Sequence, residues 1–120
     1  MNSNSWDLSA CVARLTAFRD AREWAHFHVP KELAAALAIE AAELQQVMLW
    51  KTGDEVTSAL DDPKLRARME EEIADVAIFL LMLAERTSVD LHAAIMGKID
   101  ANEQRYPVAL HRGVARKAPR

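Results

Sequence analysis

Two stretches of this sequence are apolar on nearly every side when wound as helices, and that constrains the fold more than any other feature. Residues 33–50 carry no charge except Glu40 and Glu43, with Gln45 and Gln46 as the only other polar side chains. Residues 73–84 carry only Asp75, and Glu72 stands at their N-terminal boundary. A helix without a polar face has to be surrounded by other helices. Within each acid pair the spacing of three puts both carboxylates on one face. A lone carboxylate in apolar surroundings is strongly disfavoured or takes up a proton, so four brought together require a cation or several strong donors. Oxygen-only ligands suit a hard cation such as Mg²⁺ or Mn²⁺, and the pattern reads as a buried metal site.

The rest of the chain agrees with an all-helical fold. Its 120 residues include three glycines and four prolines, few for a sheet joined by tight turns, while Ala, Leu and Glu are abundant. No alternating pattern of strand length occurs. About half of the residues, 51%, are apolar, which suits one compact domain with a real core. Cys11 is the only cysteine, and the residues after Met1 are polar instead of forming a basic and apolar leader. Both features point to the cytoplasm. Residues 33–50 approach the length of a membrane span, but two central carboxylates make insertion costly and residues 73–84 are too few to cross, so no membrane partner is expected. The net charge is −3 although the tail after Pro107 carries Arg112, Arg116, Lys117 and Arg120. The body is therefore acidic, which argues against nucleic acid as a partner.

Four helices are the economical reading. The first spans about residues 7–24, with Ser5 as N-cap and an apolar stripe of Leu8, Val12, Leu15 and Phe18. Pro30 suits the first turn of a second helix running to Lys51, where Thr52 and Gly53 end it. A polar connector follows, and Asp62 with Pro63 starts a third helix reaching about Arg86. Asp90 caps a fourth, which stops near Arg105 ahead of Pro107. Residues 1–107 make a single domain, and residues 108–120, basic and poor in apolar side chains, form a flexible tail. The expected protomer is four-helix bundle-like. Its two all-round apolar helices present more surface than such a monomer covers, so a homo-oligomer is expected, with a monomeric bundle around one central helix as the alternative.

Written out, the constellation is Glu40-x-x-Glu43, twenty-eight residues, then Glu72-x-x-Asp75. Its flanks are Arg22-Glu23-Trp24, Phe27-His28-x-Pro30, Trp50-Lys51, Glu71 with Val76, and Lys98-x-Asp100-x-Asn102-x-x-Arg105-Tyr106-Pro107. Together these residues resemble the MazG-like, all-α nucleotide pyrophosphohydrolases, most closely their dCTP pyrophosphatase branch, over roughly residues 8 to 107. The resemblance implies Mg²⁺-dependent hydrolysis of a nucleoside triphosphate to the monophosphate and pyrophosphate by a homotetramer, with Mn²⁺ a possible substitute ion. It assigns Glu40, Glu43, Glu72 and Asp75 as metal ligands, and Glu43 as the candidate to orient or deprotonate the attacking water. The chemistry is consistent, because a triphosphate must be neutralised and a water aligned with the bond that breaks.

Lys98, Asn102 and Arg105 share one face at the end of the last helix, and with Tyr106 they match the family's ending. Cationic and amide groups suit phosphate oxygens, although Lys and Arg also favour a solvated helix C-terminus. By the same resemblance Trp24 and Trp50 line a base, whereas composition alone reads them as core or interface packing. Phe79, one turn beyond Asp75, is placed to reach the same cavity. Two positions depart from the branch: its first-helix His is replaced by Leu15 or Thr16, and its Tyr beyond the aspartate by Phe79. Losing those polar groups relaxes or alters cytosine selectivity.

Other readings carry their own signatures. A ferritin-like di-iron bundle needs two Glu-x-x-His units, and only Glu23-x-x-His26 is present. A non-catalytic helical interaction module would pair the acids with arginines of a partner. Within the enzyme class, dUTP or another modified nucleotide is the alternative substrate.

Overall fold

The computed structural model describes residues 8–119, which form two compact units, one through Ser88 and the other from Val89 onward. Among the described residues there are helices and no strand. The first unit holds α1 (Leu8–Ala21), α2 (Pro30–Val47), α3 (Gly53–Ala59) and α4 (Pro63–Arg86); the second holds α5 (Leu91–Arg105) and α6 (Val108–His111). All four expected helices are present as α1, α2, α4 and α5, and two short ones are added. No helix among the described residues is long and apolar enough to cross a membrane.

Local chemistry sets the boundaries. Asp62 accepts from the Lys64 N–H at 3.1 Å and Asp90 from the Ala93 N–H at 3.0 Å, with Pro63 following the first cap. Pro30 opens α2 without any side-chain cap. The helix expected over residues 7–24 stops at Ala21, because Glu23 turns left-handed at φ 55°. There the Trp24 N–H reaches the Arg19 carbonyl at 3.0 Å and the Glu23 N–H reaches Asp20 at 3.1 Å, the closing pattern of a Schellman motif. The expected cap Ser5 lies outside the described residues. The second helix ends at Val47 instead of Lys51, since Met48 and Trp50 leave helical geometry, Trp50 at φ 65°. The connector expected between Gly53 and Asp61 contains α3, capped by Thr52, whose hydroxyl accepts from the Glu55 N–H at 3.1 Å.

In the first unit α2 and α1 both pack on α4. Leu33 and Val47 of α2, with Leu81 and Met82 of α4, are the buried apolar residues at its centre. Arg86 Nε donates to the His28 carbonyl at 3.0 Å, joining the end of α4 to the chain entering α2. Since the second half of α2 also meets the first half of α4 through Glu40 and Glu72, the two helices run antiparallel. Among the described residues Arg19 is the buried charge, only 7% exposed, and it binds Asp20 at 2.9 Å and Glu85 at 3.0 Å, tying α1 to α4. Much apolar surface stays uncovered in one chain: Ile39 is 60% exposed and Ile73 51%.

In the second unit the segment after Pro107, expected to be a flexible tail, adds α6 and then returns over Tyr106. Ala118 is buried there, its N–H donating to the Tyr106 hydroxyl at 3.2 Å.

Candidate metal centre

The antiparallel pairing of α2 and α4 brings Glu40, Glu43 and Glu72 together, each offering a carboxylate oxygen within 4.8 Å of the others. Glu43 is exposed, while Glu40 and Glu72 are half-buried. One oxygen of Glu40 and one of Glu72, Oε2 in both, are shut off from solvent and have no hydrogen-bond partner. Asp75 lies outside the 4.8 Å group, yet its charge reaches it. The Glu40 carboxyl is raised above the ordinary carboxylate range, first by a hydrogen bond with Glu43, then by burial, then by the charges of Glu43, Asp75 and Glu72. The shared hydrogen bond and the crowding of like charges both favour the protonated form of Glu40, compared with a free carboxylate.

Such a group needs a positive counterpart. Among the described residues no lysine or arginine forms an ion pair with Glu40, Glu43, Glu72 or Asp75. Buried carboxylate oxygens without donors are costly, and an all-oxygen set matches a hard divalent cation. The residues present therefore fit a metal. Glu23 and His26, the one unit that suggested di-iron chemistry, are not part of the cluster.

Separately, α1, α4 and the residues before α2 line an open cavity of about 730 Å³, and none of the clustered acids is in its wall. Its wall is mostly apolar and includes Leu15, Phe18, Trp24, Ala77, Ile78 and Phe79, so Trp24 and Phe79 line one space. Trp24 meets Phe18 edge-on at 5.8 Å. Trp50 does not line this cavity; it is 93% exposed and held in left-handed backbone geometry. A tryptophan in that conformation is strained by roughly 1 to 2 kcal/mol relative to the right-handed region, and one so exposed gains nothing from packing. Trp50 is therefore not a core residue within one chain.

Lys98, Asn102, Arg105 and Tyr106 fall in the second unit. Lys98 is exposed on α5, and the Asn102 carbonyl accepts from the Tyr106 N–H at 2.8 Å to end the helix. Arg105 and Tyr106 are not left open to solvent. Both hold the backbone of the returning tail.

Two residues of this region carried no role in the sequence reading. His28 lines the cavity with Nδ1 buried and unpartnered, and burial, then the charges of Arg19 and Arg86, lower its pKa and so favour the neutral ring. Arg19 anchors the C-terminal end of α1, the helix that forms one wall. A signal for it exists: Leu8, Val12, Leu15 and Arg19 continue one helical face, which puts a guanidinium where the stripe calls for an apolar side chain.

A model of the MazG-like family matches residues 35–118, which takes in both acid pairs and the α5 residues. The chain belongs to the MazG-like family. It is 45% identical over 107 residues to the dCTP pyrophosphatase 1 of Rattus norvegicus and to that of Mus musculus, and 42% identical to that of Homo sapiens. Each alignment takes in 88% of this chain and 63% of the relative, so the chain spans under two thirds of the length of those relatives. The crystal structure of a pyrophosphatase from Archaeoglobus fulgidus matches with a TM-score of 0.78 and 35% identity, covering 89% of this chain and 98% of that one. The resemblance read from the acid pairs and their flanks thus names the right family.

Proposed function

We propose that this MazG-like chain hydrolyses a deoxynucleoside triphosphate, dCTP or a modified dCTP foremost, to the monophosphate and pyrophosphate with Mg²⁺. The observation that carries the reading is the convergence of Glu40, Glu43 and Glu72 with two carboxylate oxygens buried and unpartnered. The dCTP pyrophosphatases at 42 to 45% identity support the substrate.

Glu40, Glu43, Glu72 and Asp75 would hold Mg²⁺, for which Mn²⁺ can substitute. A bound divalent ion supplies charge neutralisation to the triphosphate and an electrophilic anchor for its oxygens. Glu40 and Glu72, half-buried on facing helices, fix the separation of the ligand set. Glu43 is exposed, so its carboxylate can be reached by solvent; it orients the attacking water and accepts its proton. Trp24 and Phe79, in the apolar cavity one helical turn from Asp75, cover the base and exclude water. Trp50 adds an aromatic face. Lys98, Asn102, Arg105 and Tyr106 engage the phosphates. The exposed apolar residues of α2 and α4 support a homotetramer in which neighbouring copies cover them. Both compact units serve one domain, as a family match from residue 35 to residue 118 supports, and the activity is cytoplasmic.

Chromatographic product analysis tests the reading. Wild-type protein with Mg²⁺ is expected to release monophosphate and pyrophosphate from dCTP, with dUTP, 5-methyl-dCTP and the other nucleotides ranking the bases, while Glu43→Gln releases neither. No turnover of any nucleotide would leave a binding module as the reading to pursue.

A further inference from the structure

The returning tail makes a specific set of contacts on the second unit. Arg105 donates Nη2–H to the Ala118 carbonyl at 2.6 Å and Nε–H to the Pro119 carbonyl at 3.2 Å. The Ala118 N–H donates to the Tyr106 hydroxyl at 3.2 Å, and Ala118 itself is buried. The His111 ring meets Tyr106 edge-on at 5.0 Å, and the Arg105 guanidinium lies 5.3 Å from the Tyr106 ring centre.

A guanidinium has five N–H donors, and the tail takes two of them, from different nitrogens. Two bonds to a planar group fix its rotation and leave three donors free. The acceptors are neutral carbonyls, so Arg105 keeps its full positive charge, which an aspartate partner would have cancelled. Tyr106 likewise accepts from the tail and keeps its own hydroxyl proton to donate. The tail therefore orients both side chains without using up what a phosphate would need.

We propose that the backbone of Ala118 and Pro119 is a strap that positions Arg105 and Tyr106 for the phosphates of the substrate. This rests on the nucleotide-hydrolase reading above and deepens it, by giving the backbone of Ala118 and Pro119 a positioning role that the tail's composition does not suggest. Preorganising a charged donor lowers the cost of ordering it on binding, so the effect belongs to substrate affinity and leaves the chemical step alone.

The test is steady-state kinetics on the nucleotide that the wild type turns over best, with Mg²⁺ and the melting temperature recorded for every variant. Deleting residues 115–120 is expected to raise KM about tenfold, the scale of one charge-assisted hydrogen bond, with kcat within about twofold. Ala118→Asp, which puts a charge into the buried seat and keeps every cation of the tail, should reproduce that rise. Arg116→Ala with Lys117→Ala should not, because neither side chain holds the strap. In an Arg105→Ala background the deletion should add little further. An unchanged or lower KM on deletion overturns the strap, as does a rise that the double alanine variant reproduces or one that is additive with Arg105→Ala. Those results leave the hydrolase reading standing, whereas absence of turnover by the wild type removes both.

Discussion

Replacing Glu43 by Gln keeps the shape of the side chain and removes one of three carboxylates gathered within 4.8 Å. Two effects of opposite sign follow. Without metal, at a pH above the raised Glu40 range, the variant should be more stable than the wild type: Glu43 raises the Glu40 carboxyl first through a hydrogen bond and then through its charge, and once both are ionised only the repulsion is left. With metal the order reverses. An ion at a hundred times its dissociation constant stabilises the native state by about 2.7 kcal/mol, and for a chain of this size each kcal/mol moves the melting temperature by about 4 °C. Wild type should therefore gain about 10 °C between excess EDTA and saturating MgCl₂, and Glu43→Gln only a small part of that. Thermal unfolding followed by circular dichroism at constant ionic strength measures both, with KCl matching the magnesium salt to remove general screening. If the variant keeps the full magnesium increment, or melts lower than wild type in EDTA, then the acids are not a metal site held open against their own repulsion.

Trp50→Ala should raise KM for the preferred nucleotide more than it lowers kcat, with the melting temperature unchanged or slightly higher, since the side chain is 93% exposed and packs on nothing. A KM equal to wild type for every nucleotide would return this residue to a structural role. Arg19→Ala should cost about 2 kcal/mol in urea unfolding at constant m. That is less than the loss of a fully buried pair, because Glu85 is 31% exposed and solvent takes over part of its charge. A change below half that size would mean the bridge from α1 to α4 is incidental. In metal-free protein the raised Glu40 carboxyl means that the native state binds the proton more tightly than the unfolded chain does. Stability contributed by that proton is present at acid pH and lost as pH rises from the ordinary carboxylate range through the raised value, a fall that Glu40→Gln should abolish. Urea titrations in EDTA across that range would refute this if wild type and variant changed in parallel.

The sequence by itself determined the helices that matter and the family. Asp62 and Asp90 accept from N–H groups of the turn beside them, and Pro30 and Pro63 fix their own φ at a helix start, so their effect is local and can be read without knowing what lies across the core. The acid pairs were legible for the same reason, since a spacing of three fixes a shared helical face whatever the partner. The short helix α3 escaped notice because its residues are polar and its one signal is the Thr52 cap. Tertiary structure decided the remainder. Only the antiparallel seating of α2 on α4 puts Glu40 and Glu43 beside Glu72 while leaving Asp75 outside the tight group, since side-chain reach across a helix interface depends on register. Arg19 finds Glu85 sixty-six residues away, a pairing that helical periodicity cannot name. The tail reaches Arg105 and Tyr106 through backbone carbonyls and an amide, groups every residue carries, so its docking leaves no mark on composition.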